Sequence, residues 1–245
     1  MNTNTRSEFK SNLTLVEHNF FIHEVFLWAK QTLFLNNICR RKVELYDFSG
    51  GNVHLTIVRN NVFYEGQVYL NNLDSGTSPD IVAIDNNVFL YNGAPINNGG
   101  DGVTVRNNIF MGGSSISNGG DSSYGFNMSA NNWGLPNSDL GANYENVGSD
   151  VIFVNFTGTN NYTVGTTDLH LAVASPAINA GDPAVSYNDL NGTRNDLGMY
   201  GGVTPYYGAI RIGVPVVQLD TGITVAPLNG SATISGKAWI VQPED

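Results

Sequence analysis

An all-β solenoid, a parallel β-helix of short coils, is the fold class that this sequence predicts, and three observations predict it. A short motif recurs along the first half of the chain. The stretches between its copies are brief and β-branched. Asparagine and glycine, rather than charged residues, supply most of the polar surface.

The motif stands as HNFF at 18–21, NNIC at 36–39, NNVF at 60–63, NNVF at 86–89, NNIF at 107–110 and NNWG at 131–134. Anchored on Asn19, Asn37, Asn61, Asn87, Asn108 and Asn132, its steps are 18, 24, 26, 21 and 24. That is an internal repeat of about 22 residues. Val16, Phe34, Val58, Ile84 and Val105 stand three residues before the first five anchors, and Phe20, Ile38, Val62, Val88, Ile109 and Trp133 stand one after. Val53–Val58, Ile81–Ile84 and Val103–Val105 are short and bounded by Gly, Asn, Ser and Pro, as strands are. A helical repeat would show apolar spacing of three and four. A leucine-rich repeat needs regular Leu positions, and a propeller blade needs about 40 residues or more. Three short strands and their turns close a coil of this length. Crossovers between parallel strands in one sheet run right-handed, so the expectation is a right-handed parallel β-helix. Val58, Ile84 and Val105, and Phe63, Phe89 and Phe110, should stack inside it.

The doubled asparagine has a physical rationale. Asn tolerates the left-handed conformation that a sharp corner needs. Stacked coils lie about 4.8 Å apart, so equivalent Asn side chains can hydrogen-bond up the stack as a ladder. One residue of each pair serves the bend and the other the ladder, which is assigned to Asn61, Asn87, Asn108 and Asn132. Replacing either residue of a pair by Ala should show the full ladder effect at only one of the two sites.

Composition narrows the function. The 245 residues carry a net charge of −10 and a pI near 4.6, with 41% hydrophobic but only 13% charged residues, about half the usual charged share. Four Lys and seven Arg leave no basic footprint for nucleic acid. No clean apolar run reaches the roughly 18 residues that would suggest a membrane span, and no signal peptide is visible. Cys39, the single cysteine, cannot form an internal disulfide, and no Cys/His pattern suggests structural zinc. A monomer is expected.

The C-terminal third carries DVIFVNF at 150–156, DLHLAVASPAINAGDP at 168–183 and DLNGTRNDLGMYGG at 189–202. With the NN[VI]F repeats, this series resembles the right-handed parallel β-helix proteins of bacterial secreted and surface type, the polysaccharide lyase-like or "choice-of-anchor" group. The resemblance covers roughly residues 12–205. It implies an extracellular or cell-surface location and reads the C-terminal blocks as closing coils and an end segment. It does not select an activity, because the group includes lyases, glycosidases, epimerases and adhesins. The division that follows is a polar tail at 1–11, a β-helix at 12–205 with irregular closing coils from about 135, and further strands at 206–245. The end segment would cover an otherwise open sheet edge.

The chemistry-bearing residues are few. The grouped Asp, His-Gly and Arg-x-Lys blocks of the pectin-cutting β-helix glycosidases are absent. The β-helix lyases need a base, and often Ca²⁺ to neutralise a uronate; no Lys stands between Val43 and Gly236, which leaves Arg59, Arg106, Arg194 and Arg211, of which Arg59 and Arg106 are placed suggestively. With Asp85 these occupy one register position in successive repeats, as an ion-pair ladder or a basic subsite. Asp80, Asp101 and Asp121 lie near a second edge, where stacked carboxylates and Gly-rich turns could hold Ca²⁺. Asp189, Asn191 and Asp196 alternate like the first half of a calcium loop but read better as structural. His18 fills the first Asn slot of its repeat, and His170 lies in the DLHL block. Tyr64, Tyr69, Tyr91, Tyr124, Trp133 and Tyr144 fall in or near turns, where a ring can hold a sugar. The substrate set is therefore Asp85, Tyr64, Tyr91 and Trp133. The expected function is a non-catalytic module binding a polysaccharide or cell-surface glycan, with calcium as the candidate cofactor. The alternatives are a uronate lyase working by β-elimination and a structural stalk.

Overall fold

The computed structural model describes residues 6–46, 55–71, 81–90, 95–98, 102–112, 116, 122–130, 134–136, 138–156, 162–163, 166–205, 215–219 and 236–240. Its strands are β1 (Ser7–Glu17), β2 (Phe20–Phe21), β3 (Val25–Leu35), β4 (Ile38–Cys39), β5 (Val43–Tyr46), β6 (Leu55–Arg59), β7 (Val62–Phe63), β8 (Val68–Asn71) and β9 (Ile81–Asp85). They continue as β10 (Val88–Phe89), β11 (Ile96–Asn98), β12 (Val103–Arg106), β13 (Ile109–Phe110), β14 (Ser123–Gly125), β15 (Met128–Ala130) and β16 (Tyr144–Val147). Every strand pair among these is parallel, and the chain is a β-solenoid of about 5 turns.

Three faces repeat along the stack. β5, β8 and β11 extend the first half of β3 into one face, and β6, β9, β12 and β14 extend its second half into the next. β1 and β3 are long because in the first two coils the chain bends directly from the first face to the second. The third face is the seven-stranded sheet β16-β15-β13-β10-β7-β4-β2. Ser7 pairs with Val25 and Glu17 with Leu35, so residues 7–11, expected as part of a polar tail, are strand.

Each position of the NN[VI]F motif has its own task. The first Asn makes the corner: Asn36, Asn60, Asn86 and Asn107 have φ between 54° and 59°, and His18 takes the same conformation in the first coil. The second Asn points inward and builds the ladder. The backbone N–H and Nδ2 of Asn37 both donate to Asn61 Oδ1 (2.8 and 3.1 Å), those of Asn61 to Asn87 Oδ1 (2.9 and 3.0 Å), and those of Asn87 to Asn108 Oδ1 (2.8 and 3.0 Å). The aromatic position faces the interior, where Phe63, Phe89 and Phe110 form a fully buried stack, extended by Phe34 from the neighbouring inward column of Val58, Ile84 and Val105. The β-branched position faces out, yet Val62, Val88 and Ile109 are also buried.

A second core explains that burial. Ile152, Phe153, Phe156, Leu169, Ala177, Leu197 and Met199 pack over the outward Val/Ile column of the third face. The C-terminal blocks thus run back along the side of the solenoid, because a column of apolar side chains pointing away from the first core must be covered by something. The corner asparagines tie this strap down. Asn60 Nδ2 donates to the carbonyls of Met199 and Gly201, Asn86 Nδ2 to Asn195 Oδ1 and the carbonyls of Asp196 and Gly198, and the Asp182 amide donates to Asn107 Oδ1. Gly201 is required where the strap passes Asn86, since a Cβ there would overlap the Asp196 carbonyl.

The ladder leaves the sequence motif at its sixth rung. Asn108 donates to Asn127 Oδ1 at 3.1 Å, and Asn127 to Asn143 Oδ1 at 3.0 Å. Asn132 lies outside the described residues. Phe126 makes the sixth corner at φ 55°, so that coil reads Phe–Asn–Met where the others read Asn–Asn–apolar. Residues 207–245 form a separate compact unit, in which β17 (Pro215–Leu219) and β18 (Gly236–Ile240) pair antiparallel, with Pro215 opposite Ile240.

Candidate functional site

The first face carries outward aromatic and polar side chains in register from coil to coil. Alternation in β3, β5, β8 and β11 buries Val25, Val43, Val68 and Ile96, with Leu27, Leu45 and Leu70, inside the solenoid. The residues between them must point out. Two columns result: Phe26, Glu44, Tyr69 and Asn97, and beside it Trp28, Tyr46 and Asn71.

The rings stack along the coil axis. Trp28 and Tyr46 lie 4.0 Å apart and 4° from parallel, and Phe26 and Tyr46 lie 6.5 Å apart. Cations cover several faces: Lys10 lies over Trp28, Arg6 over Phe26, and Lys42 over both Phe26 and Tyr69 at 5.6 and 5.2 Å. Glu44, only 6% exposed, accepts hydrogen bonds from Tyr46 Oη and Asn71 Nδ2 and pairs with Lys42 Nζ. Its hydrogen bond raises the Tyr46 pKa. Burial opposes the Lys42 charge, but Glu44 outweighs it and the lysine pKa rises, so Lys42 stays protonated. Glu8 is shared by Arg6 and Lys10, and Glu44 pairs with Lys42. Both columns step from a ring to a short amide, Tyr46 to Asn71 and Tyr69 to Asn97.

The residues expected from sequence are dispersed. Arg59, Asp85 and Arg106 do form one column: Arg59 Nη2 lies 2.9 Å from Asp85 Oδ2 and Arg106 Nε 3.1 Å from Asp85 Oδ1. The strap closes over it, with Asp182 at 3.6 Å from Arg106 and the Tyr187 ring 4.2 Å beneath its guanidinium. Asp85 is 1% exposed. Both guanidiniums are thus committed to one buried carboxylate, which makes the column a clamp between coils and strap. Tyr64 sits on the third face, stacked on Phe20 at 6.5 Å and against Tyr162 at 4.9 Å, and burial raises its pKa. It is not near the arginine column's register position. Tyr91, Trp133, Asp80, Asp101 and Asp121 lie outside the described residues.

Among the described residues no group of three or more His, Cys, Asp and Glu is placed to hold a metal ion. The Asp189 carboxylate accepts from the amides of Asp196 and Gly202, and Asp196 from that of Asn179, so the DLNGTRND block is a hydrogen-bonded corner of the strap. Cys39 is fully buried and its thiol pKa is pushed well up by desolvation. His170 pairs with Asp168 at 2.6 Å and stacks on Tyr200 at 4.2 Å.

Sequence reasoning passed over Phe26, Trp28, Lys42, Glu44 and Tyr46. Counted forward from the preceding anchors Asn19 and Asn37, Phe26 and Glu44 both stand at +7 and Trp28 and Tyr46 both at +9. Counting backward from the following anchor hides this, because β5 and β6 are separated by residues 47–54 whereas β3 is unbroken. Comparisons with protein-family models, curated proteins and solved structures find no match.

Proposed function

We propose that this chain is a non-catalytic β-solenoid module that binds carbohydrate on its first face. The observation that carries the proposal is the step from Tyr46 to Asn71 and from Tyr69 to Asn97 in adjacent columns. A sugar ring offers an apolar face and a rim of hydroxyls. It fits where an aromatic side chain stands beside amides that both donate and accept hydrogen bonds. Lys42, the cation beside Tyr69, is paired with Glu44, so the two ring-to-amide steps favour a neutral glycan over a uronate polymer. A cell-surface or extracellular setting fits such a role.

The lyase alternative has less support, since Arg59 and Arg106 are both held by Asp85. A stalk is served by the same fold and differs only in binding nothing. Titration calorimetry on a panel of neutral and uronate oligosaccharides, with and without calcium, tests the proposal. The expected result is calcium-independent binding of a neutral oligosaccharide that Tyr46→Ala/Tyr69→Ala weakens at least tenfold. Binding unchanged in that variant, or no binding across the panel, refutes it. Ultraviolet-absorbing unsaturated product from a uronate polymer would favour the lyase instead.

A further inference from the structure

The DLNGTRND corner of the strap holds an Asn–Gly pair at its exposed tip. Asp189 is buried, whereas Leu190, Asn191, Gly192 and Thr193 are exposed. The Gly192 amide donates to the Asp189 carbonyl at 2.8 Å and the Asp189 amide to the Thr193 carbonyl at 3.0 Å, which folds residues 189–193 into a tight turn. Asn188 Nδ2 donates to the Gly192 carbonyl at 3.1 Å. Gly192 has φ 82°, and a Cβ there would meet no heavy atom of the described residues within 4 Å. The Asn191 side chain folds back over this backbone. Its Oδ1 accepts from the Thr193 amide at 3.0 Å and from Thr193 Oγ1 at 2.6 Å. The same hydroxyl lies 3.4 Å from Asp189 Oδ2, so its proton belongs to the shorter contact.

We propose that Asn191 is a self-modifying site whose conversion loosens the strap. The Gly192 backbone nitrogen loses its proton to solvent base and attacks Asn191 Cγ. Nδ2 takes up a proton and leaves as ammonia, closing a five-membered imide. Water then opens the imide to aspartate or to isoaspartate. Gly192 puts no side chain in the way of ring closure. Negative charge develops on Asn191 Oδ1 as Cγ becomes tetrahedral, and the two Thr193 donors stand at that oxygen, as in an oxyanion hole. The bond that attack must first open is the one from Gly192 to Asp189. Isoaspartate runs the main chain through the former side chain and adds a methylene between residues 191 and 192. The longer path cannot keep both the Gly192–Asp189 and the Asp189–Thr193 bonds. Asp189 accepts from the amides of Asp196 and Gly202, and the neighbouring Asn195 pairs with Asn86. Conversion at this tip therefore acts on the hold of the strap at the Asn86 corner.

Ageing the full chain in mildly alkaline buffer tests this, with circular dichroism to establish that each variant is folded. Peptide mapping by mass spectrometry, with enzymatic methylation to mark isoaspartate, separates Asn191 from Asn92, Asn98, Asn118 and Asn229, which also precede Gly. Asn191 should convert to a mixture of aspartate and isoaspartate, and Asn191→Gln should abolish conversion at that position. Thr193→Val should slow it at least threefold, and Thr193→Ser should keep the wild-type rate. A Thr193 that merely holds the turn shut predicts the opposite sign, since its loss would free the Gly192 nitrogen. Limited proteolysis should cut the strap at least twice as fast in aged wild type as in equally aged Asn191→Gln. An unmodified Asn191 overturns the proposal. So would conversion in Thr193→Val at the wild-type rate or faster, or equal proteolysis of the two aged chains. None of these outcomes depends on whether the first face binds glycan.

Discussion

Asn86 and Asn87 are adjacent and almost fully buried, and their replacement should separate the two uses of asparagine in this fold. Asn87 Oδ1 accepts from the Asn61 amide and Nδ2, and its own Nδ2 donates to the carbonyls of Val58 and Asp85 and to Asn108 Oδ1. Asn87→Ala leaves the Asn61 amide without its side-chain acceptor inside the solenoid. An orphaned buried donor costs about 1–3 kcal/mol, and the weakened rungs on either side bring the expected loss to about 3–4 kcal/mol. Asn86→Ala loses the bonds to Asn195, Asp196 and Gly198 on the strap and places Ala at φ 54°. The left-handed conformation alone costs a residue with a Cβ roughly 1–2 kcal/mol, so the total is again about 3 kcal/mol. Both alanine variants are therefore costly, against the expectation that only one of the pair would be. Glycine tells them apart. Asn86→Gly should recover about 1 kcal/mol relative to Asn86→Ala, because Gly adopts positive φ freely. Asn87→Gly should be no better than Asn87→Ala, or worse by about 0.5–1 kcal/mol. Urea unfolding followed by circular dichroism gives the four values, and limited proteolysis should cut the strap faster only in the Asn86 variants. An equal Gly–Ala difference at both positions would refute the division of labour.

Two further expectations follow from the clamp and the turns. Arg106→Ala should destabilise by about 2 kcal/mol and Arg59→Ala by about 1 kcal/mol in urea unfolding, since Arg106 alone also engages Asp182 and Tyr187; equal losses would mean the strap contacts contribute nothing. Asp139 has a lowered pKa because its carboxylate accepts from the Tyr124 amide and the Ser123 hydroxyl. Its stabilising contribution should be present above the ordinary Asp value of 3.8 and be lost as pH falls through the lower folded value. Asp139→Asn should flatten that acid limb of the stability curve, and an unchanged acid limb would refute the assignment.

The repeat, the inward Phe and Val/Ile stacks, the corner and the ladder were all legible in the sequence. Each follows from a local rule: a left-handed corner favours Asn, and a fixed register superposes like residues in neighbouring coils. Lateral contacts were not legible. Nothing local to NN[VI]F says that its β-branched residue faces outward and is still buried. That depends on Ile152, Phe153, Leu169, Leu197 and Met199 returning along the third face, so the strap converted Arg59, Asp85 and Arg106 from a surface column into a covered clamp. The same limit applied to the first face, where the unequal spans between strands concealed Trp28 above Tyr46 until the register was known. It applied again at the sixth coil, where Phe126 took the corner and Asn127 the rung. Local conformational preference is written residue by residue along the chain. Which surface a returning segment covers depends on contacts between residues more than a hundred positions apart, such as Asn60 with Met199, and only the folded chain brings those together.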